Sequence, residues 1–169
     1  MEKFINIVGA VLANTVYKDG ELVGREVTVT LPNVNFVTAE HKAMGTVELP
    51  MLGQLEAMEA AVTKKGYDKG LAKLAQPAAQ NLEFRFVQDV IGSDNVSTPQ
   101  GCKAFMRAVP KTLPGGDLTP GEAGDTQITF AVTRYQLFVG GDEICLIDQL
   151  KGIMRINGVD YAKSINSLL

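Results

Sequence analysis

Short runs of alternating apolar and polar residues, cut by turn signals, cover most of this chain and predict a mainly β fold. The clearest run sets Leu82, Phe84, Phe86 and Val90 against Glu83, Arg85 and Asp89, the mark of a sheet dry on one side and wet on the other. Cys102, Ala104, Met106 and Ala108 predict a second strand. Ile128, Phe130 and Val132 begin a third, whose apolar phase then moves to Tyr135, Leu137 and Val139, and a one-residue shift of that kind predicts a β-bulge. Asp19-Gly20, Gly140-Gly141 and Asn157-Gly158 mark tight turns between strands. Val27, Val29 and Leu31 face one way with Thr28 and Thr30 opposite, until Pro32 bends the strand or confines it to an edge. Val47 and Leu49 predict a short strand ending before Pro50.

Helical spacing is rarer. Residues 67–74 carry Leu71 and Leu74 between the punctuation of Gly66 and Pro77, and residues 161–169 suit a short C-terminal helix. Residues 52–63 hold a conflict: Leu55, Met58 and Val62 fit a helix made of good helix formers, while Glu56, Met58, Ala60 and Val62 alternate as in a strand. Two connections stand out. An exposed arm, residues 38–46, holds Glu40, His41, Lys42 and Gly45. Residues 110–125, rich in proline and glycine and flanked by predicted strands, form a loop long enough to be either functional or disordered.

Composition narrows the reading. A chain of 169 residues with 46% apolar and 21% charged residues suits one domain, residues 1–169, that folds without disulfides or metal. Sixteen basic residues against nineteen acidic ones leave a net charge of −3, which disfavours tight binding to phosphate backbones or anionic lipid. The apolar residues 4–13 are too few to span a bilayer, for which about 20 are needed. Glu2 cancels Lys3, so the positive leader of an export signal is missing and a cytoplasmic site of synthesis without membrane contact is expected.

The chemistry of catalysis is sparse. His41, the single histidine, sits between Glu40 and Lys42 on the arm, so His-rich metal sites are excluded and a nucleophile-histidine arrangement would have to be built on it. Cys102 and Cys145 lie on apolar faces and read as core residues. The glycines between 115 and 124 lack the Lys-Ser/Thr that a nucleotide phosphate loop requires. Asp117, Glu122 and Asp125 miss the alternating ligand spacing of an EF-hand loop. Glu56 and Glu59 read as wet-face residues. No enzyme activity, cofactor or metal is expected. An acidic β domain with long polar connections suits self-assembly or partner binding along its edges.

Pro114-Gly115, Pro120-Gly121-Glu122, the strand from Ile128 to Val139 with Tyr135 and Leu137, Asp142-Glu143, Ile147-Asp148 and Asn157-Gly158-Val159-Asp160 follow one another in an order and spacing that resemble the major tail tube proteins of contractile-tailed phages and related tail-like bacteriocins. Asp19-Gly20, Leu31-Pro32 and the run from Leu55 to Ala60 are similar to upstream parts of the same family. The resemblance covers nearly the whole chain and is weakest over residues 64–103.

It implies a β-barrel or sandwich with one α-helix, a long arm at about 38–50 and an extended loop at about 110–125, a tail tube fold shared with the tube protein of type VI secretion. Residues 52–63 then become strand. The resemblance further implies a structural protein of the virion, assembled in the bacterial host cytoplasm. Its homo-hexamer rings stack into a tube that serves the passage of DNA without specific binding. The implied partners are the tail sheath protein, the baseplate or tail initiator, and the terminator. Glu40, His41, Lys42, Lys111, Asp117, Glu122 and Asp125 are the expected contacts between rings, and Glu83, Arg85 and Asp89 are candidates for the lumen wall. A type VI secretion tube component is the alternative within this fold. A monomeric β-sandwich binding module is the rival outside it, disfavoured by the absence of tryptophan and an aromatic share of 7%.

Overall fold

The alternation resolves into twelve strands and two short helices among residues 5–169, which the computed structural model describes; Glu2, Lys3 and Phe4 lie outside the described residues. In chain order the elements are β1 (Ile7–Lys18), β2 (Glu21–Arg25), β3 (Thr28–Thr30), β4 (Phe36–Lys42), β5 (Thr46–Leu55), β6 (Met58–Lys65), α1 (Lys69–Leu74), β7 (Gln80–Ile91), β8 (Ser97–Pro110), β9 (Asp125–Val139), β10 (Asp142–Asp148), β11 (Ile153–Ile156), β12 (Val159–Asp160) and α2 (Lys163–Asn166). None of the described helices is long and apolar enough to cross a membrane.

The main sheet is antiparallel, in the order β12-β11-β10-β9-β8-β7-β1-β2. β6 joins it along the first half of β9 and carries β3 on its other side. Only Glu26 and Val27 separate β2 from β3, so the chain itself bridges the β1 side and the β6 side. The sheet therefore curls around a single core in which Val16, Val62, Phe84, Ile128, Phe130 and Ile147 are buried together. Asp19 and Gly20 adopt positive φ at the β1–β2 turn, as do Gly140 with Gly141 and Asn157 with Gly158 at the later turns.

The predicted bulge is present. Arg107 of β8 pairs with Arg134 of β9 while Ala108 pairs with Val132, which leaves Thr133 as the extra residue. At the same point β9 changes its other neighbour from β6, whose first residue Met58 pairs with Val132, to β10, whose last residue Asp148 pairs with Arg134. The shift of phase thus lets Val132 and Tyr135 both face the core.

One expectation needs correction in detail, and the conflict over residues 52–63 resolves as the family resemblance implies. The short strand before Pro50 is in fact the longer β5, which runs through Pro50 to Leu55; β4 and β5 form a separate two-stranded ribbon, and its outer edges tolerate a missing N–H. Residues 52–63 are strand rather than helix, split at Glu56 between β5 and β6. There the Glu56 N–H donates to the Asn35 carbonyl at 2.9 Å.

Lys64 is a buried cation that alternation did not reveal. Its side chain is 6% exposed, and the ammonium donates to the Val23 carbonyl at 2.8 Å and to Asp68 Oδ1 at 2.9 Å. Asp68 also caps α1 by accepting from the Leu71 N–H at 2.7 Å. Burial alone would push the Asp68 carboxyl up, yet the Lys64 hydrogen bond and the backbone N–H groups of Leu71 and Gly70 outweigh it and hold the carboxyl below its ordinary value.

Asp68→Ala is expected to cost about 2–3 kcal/mol in chemical denaturation, through a lost cap and an unpaired buried ammonium, with part recovered in the Lys64→Met double variant. A depressed carboxylate stabilises the fold fully above its unfolded value of about 3.9, and that contribution is lost as pH falls through the folded value. The Asp68→Ala variant should accordingly lose less stability between pH 7 and pH 3 than the parent chain.

Candidate assembly surfaces

The β4–β5 ribbon is the arm. Its register sets Glu40 opposite Glu48, His41 opposite Val47 and Lys42 opposite Thr46, just below the turn at Met44 and Gly45. The Thr38 hydroxyl bonds the Glu48 carboxylate. Met44, Val47, Leu49, Met51 and Leu52 are all exposed. Only the root of the arm is anchored. The amide of Gln149 donates to the Glu56 carbonyl at 3.1 Å, and a Cβ at Gly53, whose φ is +74°, would stand 3.0 Å from Ile165 Cδ1. A two-stranded ribbon is marginal by itself. This one presents apolar side chains that the described residues leave largely exposed.

A second uncovered apolar stretch lies on β1. β2 pairs only with Thr15 to Lys18, because the Asn14 side chain bonds both the N–H and the carbonyl of Val27 and takes up the backbone groups next to the edge. Beyond that point Ile7, Val8, Val11 and Leu12 are exposed while β1 continues along β7. The free side of this segment is an open sheet edge of the kind that natural proteins cover or blunt.

Residues 111–124 form the extended loop, tied at both ends. Lys111 pairs with Glu59 at 2.7 Å, the Tyr67 hydroxyl donates to the Pro114 carbonyl, Gly66 N–H donates to the Gly124 carbonyl at 2.7 Å, and Asp125 pairs with Lys65 at 2.5 Å. Asp117, Glu122 and Asp125 border a shallow recess of about 290 Å³. Among the described residues no cluster of histidine, cysteine and carboxylate side chains is placed to hold a metal. Of the four loop residues expected between rings, Lys111 and Asp125 are engaged within the subunit. Asp117 and Glu122 have no ion-pair partner among the described residues.

Glu83 and Arg85 share the outer face of β7 at 2.6 Å, with the guanidinium 4.4 Å over the Tyr17 ring. Asp89 lies further along β7 and accepts from the Ser97 hydroxyl. On β10 and β11, the hydrogen bond from Arg155 holds the Glu143 carboxyl below its ordinary value; desolvation opposes the shift and the Gln136 amide assists it. Burial pushes the Cys102, Cys145 and Tyr135 groups up, which keeps both thiols protonated near neutral pH.

One feature of this face escaped the sequence reading. Arg107 and Arg134 stand directly opposite each other across the bulge, and with Lys151, Asn81, Gln136 and Leu150 they line a groove of about 510 Å³. Residues 107, 134 and 151 are far apart along the chain, and only the register brings them together.

An apolar arm and an apolar open edge, both exposed, and a long tethered loop surround a single core, and the described residues carry no metal-holding cluster. The chain belongs to the family of phage tail tube protein FII, whose model matches residues 10–169. It is a structural subunit of a tail tube. No curated protein matches the chain.

Among solved structures, the cap of the anti-feeding prophage (the AFP tube terminating cap) is similar at 16% identity and a TM-score of 0.52, covering 75% of this chain and 87% of that one. The sheath/tube terminator of the extracellular contractile injection system PVC in its extended state is similar at 14% identity and a TM-score of 0.51, covering 76% of this chain and 95% of that one. The sheath-tube complex of the same system aligns at 13% identity and a TM-score of 0.49 over 75% of this chain and 88% of that one. The first two share the fold.

Proposed function

We propose that the chain, acting as a single domain, builds the inner tube of a contractile tail or tail-like particle by closing into rings of six that stack around a channel. The observation that supports this reading most directly is the pairing of an open apolar edge on β1 with an apolar arm, both exposed in the subunit. Repeated head-to-tail contacts between identical copies close a ring when the rotation allows it, and the open edge then disappears.

In this reading the arm and the loop mediate contacts between rings, with Glu40, His41, Lys42, Asp117 and Glu122 at the contact and Lys111 and Asp125 holding the loop in place. The outer face of β7 with Glu83, Arg85 and Asp89 is the candidate lumen wall. A sheath surrounds the tube, an initiator and a terminator bound it, and DNA passes through the virion's channel without being held. The acidic balance of the chain suits a conduit, since a lysine-rich wall would retain phosphates through counterion release. The subunit has no catalytic role in this reading.

Negative-stain imaging of the purified protein tests it, with hollow tubes of sixfold rings as the expected result. Deletion of residues 115–124 should leave the thermal transition in place and remove the tubes. Undiminished polymerisation of that variant would show that the loop takes no part in stacking.

A further inference from the structure

We infer that the groove across the β8–β9 bulge is the socket for the acidic loop of a second copy, with Asp117 and Glu122 of one subunit entering between Arg107, Arg134 and Lys151 of the next. The inference rests on the tube reading above and names which surfaces meet.

The first ground is the like-charge pair itself. Arg107 and Arg134 are register partners, and like charges directly opposite in a sheet destabilise it. Elsewhere on the wet face Arg85 is paired with Glu83 and Arg155 with Glu143; Lys103, the register partner of Arg85, has no ion pair among the described residues but lies outside this groove. Arg107 has only the neutral Asn81 amide oxygen, at 2.9 Å, and Arg134 and Lys151 have no ion pair among the described residues. Asp148 lines the same groove, but its Oδ1 accepts the N–H groups of Leu150 and Lys151, which commits that oxygen to the turn. Glu83 also lines the groove and is paired with Arg85, so the site holds three cations against two carboxylates that each already have a partner, and it is complementary to an anionic partner.

The second ground is that the chain carries such a partner. The loop of residues 111–124 is tethered at both ends, so its apex is presented rather than free to wander, which lowers the ordering cost of docking. Its basic residue, Lys111, is already paired with Glu59, and the apex carries Asp117 and Glu122 as uncompensated carboxylates. Arginine forks match carboxylates two hydrogen bonds at a time. Nucleic acid would satisfy the same cations, but a conduit wall with exposed arginines would hold its cargo. Filling the groove with the neighbour's carboxylates removes that conflict.

The test is a charge swap followed by sedimentation and imaging of the full chain. Arg107→Glu with Arg134→Glu should lower the yield of tubes about tenfold or more, and so should Asp117→Arg with Glu122→Arg, since close charge pairs across interfaces couple by about 1.5 kcal/mol or more and 1.4 kcal/mol is a factor of ten. Carrying all four substitutions together should restore the yield to near the parent level. The milder Arg107→Gln should keep or raise the melting temperature while lowering assembly, which separates the contact from a folding defect. Parent-like tubes in both charge-reversed variants would overturn this inference and leave the tube reading standing, whereas a parent chain that never polymerises would overturn the tube reading. Loss of assembly without rescue by the swap would overturn the inference as well. So would arginine variants that lose binding to a short duplex DNA by fluorescence anisotropy while assembling normally.

Discussion

Replacing Leu49 and Met51 together by aspartate is expected to abolish tubes while leaving the unfolding of the isolated subunit unchanged. Both side chains lie on one face of β5, 50% and 42% exposed, and the described subunit leaves them largely uncovered. Exposed substitutions of this kind change folding stability by about 0.5 kcal/mol or less. In the tube the same positions are to be buried against another copy, where an unpaired carboxylate costs several kcal/mol. Because the contact repeats at every subunit, the loss also repeats and polymerisation fails. Sedimentation velocity reports assembly and a thermal melt reports the fold. Tubes that persist in this variant would mean that the arm stays in solvent.

The largest effect on the fold itself is expected from Phe130→Ala. Phe130 is 0% exposed on β9, between β8 and β6, and is among the largest fully buried side chains of the core. Emptying such a site costs about 3–5 kcal/mol, the transfer term plus the cavity. For a chain of this length each kcal/mol moves the midpoint by about 2–4 °C, so a fall of roughly 10 °C is expected by calorimetry at low protein concentration. Assembly should mask part of the loss, because binding to the folded state stabilises it by mass action. A variant whose free subunit melts within a degree of the parent would show that the core around Phe130 collapses to fill the space.

Much of the sheet was legible because burial on one face imposes a period of two. Leu82 with Phe84, the run from Cys102 to Ala108, and the shift between Val132 and Tyr135 all stand where alternation places them. The tight turns were legible because Asp19-Gly20, Gly140-Gly141 and Asn157-Gly158 occupy positive φ, which few other residues tolerate. The arm was legible as an exposed connection but not as a ribbon reaching Leu55, since a strand without a buried face leaves no alternation to read. β1 was seen only as an apolar stretch, because its first half is exposed on both faces and so leaves no alternation of burial to read. Of the candidate contact residues, Glu40, His41 and Lys42 do reach the arm tip and Asp117 and Glu122 the loop apex. Lys111 and Asp125 turned out to be tethers.

The sequence by itself determined the class of fold, the turns, the bulge and the negative balance, because each depends on neighbours close along the chain or on plain counting. Only the tertiary structure decided that Arg107 meets Arg134, that Lys64 is buried against Val23 and Asp68, and that the edge of β1 stays open. Those facts depend on register between distant strands and on where each strand stops, and one residue of slip would change all three.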